Sequence, residues 1–116
     1  MKKIQITAKF KIQKGKLDEF KKGAAAAIAL VNENEKGAGA LQYDWFFSPD
    51  ETECVVRETY ADSNAVITHL QNVGEILGQV LSISDFSAEI YGPISDEVRN
   101  AVAPFNPMHY SFYQGI

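Results

Sequence analysis

Residues 3–12, KIQITAKFKI, alternate without a break: Ile4, Ile6, Ala8, Phe10 and Ile12 on one face, Gln5, Thr7, Lys9 and Lys11 on the other. A period of two is the mark of a strand with one apolar face. After Lys14-Gly15 the period lengthens. Leu17, Phe20, Ala24, Ala27, Ile28 and Val31 recur at helical spacing to about residue 34. Asp18 and Glu19 sit in the first turn, where the helix dipole favours acids. Gly37 and Gly39 end that helix. In 40–48, ALQYDWFFS, the residues Leu41, Tyr43, Trp45 and Phe47 alternate with Gln42, Asp44 and Phe46, which predicts a second strand. Pro49-Asp50-Glu51-Thr52 has turn chemistry, and 53–61 completes a hairpin.

Asp62 or Ser63 can cap the next helix, whose apolar stripe is Val66, Leu70, Val73 and Leu77. Gly74 and Gly78 predict a bend or break near 72–75. Residues 84–92, SDFSAEIYG, read as a fourth strand closed by Pro93. The order βαββαβ, with one-sided strands and one-striped helices, predicts an α+β, ferredoxin-like domain over residues 1–94: a four-stranded antiparallel sheet with helices on one face. Residues 95–103 read as a short helix capped by Ser95. The tail PFNPMHYSFYQGI is too aromatic for a solvated end, so 95–116 is expected to pack on the domain or on a partner chain.

Composition narrows the function classes. The 116 residues suit one domain, and 46% hydrophobic with 22% charged residues argues against disorder. A net charge of -4 with interspersed signs gives no footprint for nucleic acid or an anionic membrane. The N-terminus lacks an apolar stretch of the signal-peptide kind, and no run is long enough to span a bilayer. Cys54 stands alone, so no intramolecular disulfide forms, and a cytoplasmic location is expected.

The candidate chemistry lies in ETYADSNAVITHL, 58–70. On a helical wheel His69 falls about 60° from Val66, at the edge of the apolar stripe, where it faces the space between helix and sheet. An imidazole there can act as a base; equally, it can be a boundary histidine bonded to a backbone carbonyl or a nearby acid. Glu58 shares a strand face with Tyr60. If that face is the inner one, Glu58 needs a partner, and His69 is the obvious one; the alternative pairs it at the surface with Arg57, a lysine or water. Tyr43 and Trp45 can form an aromatic wall or ordinary core, and a buried indole N–H needs an acceptor. His69 and His109 are far apart and no cluster has metal-ligand spacing; there is no glycine-rich phosphate cradle.

Three stretches, KFKIQKGKLDEF, GALQYDWFFSPDETE and ETYADSNAVITHL, resemble the antibiotic biosynthesis monooxygenase domain, a branch of the dimeric α/β-barrel superfamily. The resemblance spans residues 3–92. It implies a homodimer with two sheets meeting face to face. It also implies oxidation of a quinol- or anthrone-like aromatic by O2 with no metal, flavin or haem. Carried over by position, His69 matches the family's helix histidine, Glu58 its acid and Tyr60 the aromatic that follows; Trp45 and Tyr43 match the aromatic strand. His69 is then the general base, Glu58 its orienter, and Tyr60 with Trp45 and Tyr43 the substrate wall. Haem-degrading relatives carry an asparagine and a tryptophan where this chain has Ala8 and Tyr60, which argues against haem as substrate. The competing reading is a non-catalytic dimer that binds an aromatic metabolite or serves in stress.

Overall fold

The computed structural model describes residues 2–116. The chain runs β1 (Ile4–Ile12), α1 (Leu17–Asn34), β2 (Ala40–Phe47), β3 (Glu53–Tyr60), α2 (Ser63–Leu81), β4 (Ser84–Tyr91), α3 (Asp96–Val102), a 3-10 turn (Ala103–Phe105) and β5 (Met108–Tyr110). The sheet order is β2-β3-β1-β4-β5. The first four strands pair antiparallel in the ferredoxin-like arrangement that the pattern predicts.

Register turns this topology into a surface. Because side chains alternate, residues opposite one another on paired strands share a face. Tyr43, Glu58, Ile6 and Ile90 form one row across the sheet; Trp45, Val56, Ala8 and Ala88 form the next; Phe47, Cys54, Phe10 and Phe86 form a third. All three rows face the helices. Glu58 is the one ionisable carboxylic acid in them.

α1 and α2 lie close together over these rows. A Cβ on Gly23 would sit 2.6 Å from Val80 Cγ2, so the approach depends on the missing side chain. Asp62 caps α2 by accepting from the Ala65 N–H at 2.9 Å, and Ser95 caps α3 through the Val98 N–H at 3.1 Å. Two packed clusters result. One gathers Ile4, Tyr60, Val66, Ile90, Val98 and Val102; the other gathers Phe10, Phe20, Cys54, Val56, Val80 and Ile83.

Three expectations need correction. α2 is unbroken from Ser63 to Leu81. Gly74 and Gly78 lie on its exposed side, where a glycine costs about 1 kcal/mol against alanine but leaves packing intact. Val66, His69, Val73 and Val80, all buried, hold the helix straight over the sheet. Leu41 does not share a face with Tyr43: the register shifts between Ala40 and Gln42, and Leu41 is 55% exposed. That irregularity swings Ala40 opposite Tyr60 instead. Finally, the aromatic tail contains a strand. β5 pairs parallel with β4, and Gly92 N–H donates to Tyr110 O at 3.0 Å. The sheet face away from the helices leaves Phe46 exposed, and Met108, Tyr110 and Phe112 of the tail are exposed too.

The link from α1 to β2 passes through Gly39, at φ +102°. Its carbonyl accepts from Ala61 N–H at 2.8 Å, and a Cβ there would lie 2.7 Å from Ala65 Cβ. Gly39→Ala therefore combines an unfavourable backbone region with a clash. It is expected to lower the unfolding free energy by about 1–3 kcal/mol, read from urea melts; a wild-type midpoint would contradict this packing.

Candidate functional site

The site begins where α1 ends. Glu35 follows the last helical residue, and its N–H donates to Val31 O at 2.9 Å. Its carbonyl accepts from Ala38 N–H at 2.8 Å, so the backbone is pinned on both sides. The side chain continues the apolar stripe of Ala24, Ala27 and Val31, and is only 1% exposed. It meets α2, where His69 and Asn72 stand three apart on one face. His69 Nδ1 lies 2.9 Å from Glu35 Oε1 and 3.1 Å from Oε2. Asn72 donates to Glu35 Oε2 at 2.7 Å and to Leu30 O at 3.0 Å. A carboxylate that is ionised accepts only, and in that state the hydrogen of this contact sits on Nδ1.

The other imidazole nitrogen faces the sheet. Nε2 is 3.5 Å from Glu58 Oε1, which also accepts a 2.5 Å hydrogen bond from Tyr60 O–H. His69 is 5% exposed and Glu58 7%. The ring lies against Tyr43 and Tyr60, with centroids 5.1 and 5.2 Å away. Glu35, His69, Glu58 and Tyr60 thus form a chain drawn from four places: the end of α1, the middle of α2, and two positions of β3.

Burial governs the electrostatics. It pushes the Glu58 carboxyl above its ordinary value of 4.5; a positive His69 and the Tyr60 hydrogen bond oppose the shift, and Glu35 adds to it. Burial also pushes the Tyr60 and Tyr43 hydroxyls well up, with Glu58 reinforcing both, so they remain donors at neutral pH. The Cys54 thiol is raised to about 11 by burial, which leaves it an inert core residue. Two buried carboxylates around one imidazole would be doubly negative if His69 were neutral. A proton held on Glu58, whose affinity for it burial raises, relieves that charge.

This polar chain abuts an apolar cavity of about 80 Å³. Glu58, His69, Tyr43 and Trp45 contribute to its lining with Val56, Val66, Val73 and Phe86. The cavity draws its walls from both core clusters. Trp45 Nε1–H is buried with no hydrogen-bond partner among the described residues. The C-terminal segment contributes Val102, Phe105 and Pro107, and Phe105 packs edge-on to Phe86 at 6.0 Å.

The structure therefore brings His69, Glu58, Tyr43 and Trp45 to one cavity. Tyr60 is fully buried behind Glu58 and outside the cavity lining; it meets that carboxylate rather than the open space. Glu58, expected to orient His69, stands instead on the Nε2 side. The firm hydrogen bond at Nδ1 comes from Glu35, which the motif reading passed over. Its signal was there: position 35 extends the stripe of 24, 27 and 31 by four residues.

No protein-family model and no curated protein matches the chain. Solved structures do. MupZ from Pseudomonas fluorescens superposes with a TM-score of 0.85 at 24% identity, covering 100% of this chain and 94% of that one. A putative antibiotic biosynthesis monooxygenase from Caulobacter crescentus gives 0.68 at 26% identity, over 77% of this chain and 87% of its own. SnoaB, a cofactor-independent oxygenase from Streptomyces nogalater, gives 0.66 at 14% identity, over 82% and 96%. The chain has the fold of the antibiotic biosynthesis monooxygenases, the family its sequence resembles.

A carboxyl whose proton affinity is raised by folding favours the folded state fully below its unfolded-chain value of 4.5, and that contribution is lost as pH rises through the folded-state value. Glu58→Gln removes the dependence. Urea unfolding across pH 4 to 8 is expected to show the variant gaining on the wild type as pH rises. A difference that is flat, or that moves toward the wild type, would contradict the burial argument.

Proposed function

We propose that the protein is a cofactor-independent monooxygenase that oxidises a small quinol- or anthrone-like aromatic with O2. The observation that carries this reading is the Glu35–His69–Glu58 chain set against an otherwise apolar, aromatic-lined cavity. Such a cavity selects a flat apolar molecule, and its polar wall accepts a proton. His69 Nε2, with Glu58 beside it, takes the acidic hydrogen of the substrate. The resulting anion is electron-rich enough to reduce O2 itself. At the ring CH2 of the substrate's keto tautomer, a C–O bond forms to one oxygen atom. The peroxide then loses water to leave C=O: the carbon supplies the electrons and both hydrogens, and the second oxygen leaves as water. The named function of SnoaB, which shares the fold, supports this chemistry. Trp45 and Tyr43 supply the wall beside the substrate. Tyr60 acts from behind, through Glu58.

Size refines the substrate. At about 80 Å³ the cavity is smaller than the roughly 150 Å³ apolar cavity that accommodates benzene. One ring, seated as rim side chains such as Phe105 give way, fits better than three fused rings.

The unpartnered Trp45 N–H favours a second reading equally open to a non-catalyst. A bound aromatic carrying a carbonyl would satisfy it, and the protein would then be a binding dimer without turnover. Either way we infer a cytoplasmic homodimer that joins through the open sheet face, where Phe46 is exposed, with the tail of 95–116 at its margin. A stable interface of this kind buries more than about 1,000 Å² in total. Light scattering at micromolar concentration is expected to give twice the 12.8 kDa chain mass; a monomer would contradict the dimer.

Oxygen uptake by the metal-free protein with hydroquinones, naphthoquinols and anthrones tests the reaction. Uptake above autoxidation is expected, falling about 10²–10⁴-fold in His69→Ala. Saturable binding without uptake would favour the binding dimer, and an unchanged rate in the variant would remove His69 from the role of base.

A further inference from the structure

We propose that Glu35 is a positioning residue that fixes His69 in the Nδ1–H tautomer and so keeps the basic lone pair on Nε2, facing the cavity. The proposal rests on the reading of His69 as the base. Three observations carry it. Glu35 contacts Nδ1 with both oxygens, at 2.9 and 3.1 Å, whereas Glu58 stands 3.5 Å from Nε2. Its own carboxylate is clamped by Asn72, which is anchored in turn to Leu30 O and by Asn34, whose amide donates to Asn72 Oδ1 at 3.0 Å. And Glu35 does not line the cavity, so it meets no substrate.

A neutral imidazole carries one hydrogen, and which nitrogen holds it follows the hydrogen bond the other makes. With no partner at Nδ1, Nε2 would hold the hydrogen for Glu58 and present no lone pair to a substrate. With Glu35 in place, Nδ1–H is held by a charge-assisted bond in a site nearly closed to water. When Nε2 then gains the substrate's proton, the imidazolium lies between two carboxylates. The ionisable groups facing the ring are Glu35 from the end of α1, Glu58 and Tyr60 from β3, and Tyr43 from β2. Glu35 alone among them contacts Nδ1.

The test is long-range ¹H–¹⁵N spectroscopy of histidine-labelled full-length protein at about pH 9, above the ordinary imidazole range. His109 is assigned by His109→Gln. The wild type is expected to show a single His69 tautomer with hydrogen on Nδ1; a wild type dominated by Nε2–H would overturn the proposal without any variant. In Glu35→Leu, which keeps the volume and leaves Nδ1 without an acceptor, the two nitrogen shifts are expected to converge toward a tautomer mixture. The maximal rate of oxygen uptake should fall about 10- to 100-fold with KM unchanged, as for other residues that orient a functional histidine from behind. Glu35→Asp keeps the charge but is one methylene short of Nδ1; it is expected to loosen the tautomer likewise and serves if the leucine variant does not fold. A folded Glu35 variant that keeps the wild-type Nδ1–H pattern would overturn the proposal, because a merely structural glutamate would alter stability and leave the tautomer alone. Nδ1–H in the wild type without oxygen uptake from any substrate would sink the oxygenase reading and leave the assignment of Glu35 standing.

Discussion

Two carboxylates and an imidazole are buried together in a domain of 116 residues, and the arrangement around them follows from that cost. An unpaired charge in such a place would destabilise the fold by several kcal/mol. Each member therefore has a neighbour: Asn72 and His69 for Glu35, Tyr60 and His69 for Glu58. The partners come from α1, α2 and β3, so the chain of polar contacts closes only when both helices are seated on the sheet. Gly23 and Gly39, where added side chains would collide with α2, set how closely they sit. A structural demand and a chemical capability thus coincide in the same few atoms.

The rows of the sheet give that polar chain its surroundings. Glu58 lies between Tyr43 and Ile6, with Val56 and Trp45 in the next row. A carboxylate walled by aromatic and aliphatic side chains holds its proton more tightly than one in water. The C-terminal segment adds Val102, Phe105 and Pro107 to the wall. The superposition on MupZ covers the whole chain, whereas that on the Caulobacter protein covers 77%.

The four antiparallel strands and two long helices were legible because each carries one apolar face at its proper period, from Ile4 to Ile12 and from Leu17 to Val31. Departures have local physical causes. Leu41 leaves its expected face because a register irregularity is a property of two paired strands, which alternation along one cannot reveal. Gly74 and Gly78 weaken a helix only where packing does not hold it, and their exposed side of α2 is irrelevant to that packing. β5 is three residues long, too short to show a period. In the site, His69, Glu58, Tyr43 and Trp45 were found from inward-facing positions. Glu35 was missed because it follows a run of polar residues, Asn32 to Asn34, that reads as a fraying helix end. The pairing of Glu35 with His69 joins positions 34 residues apart, and only the folded chain brings them together.

The proposed oxygenase must bind a phenol in this cavity and remove its proton. A nitrophenol whose neutral and ionised forms absorb at different wavelengths tests it directly, because one spectrum reports binding and proton transfer together. Titrated with protein at a pH where the free compound is mostly protonated, it is expected to bind saturably and to develop the phenolate band, and His69→Ala should abolish that band. Binding as the neutral phenol, or no binding, would contradict the account.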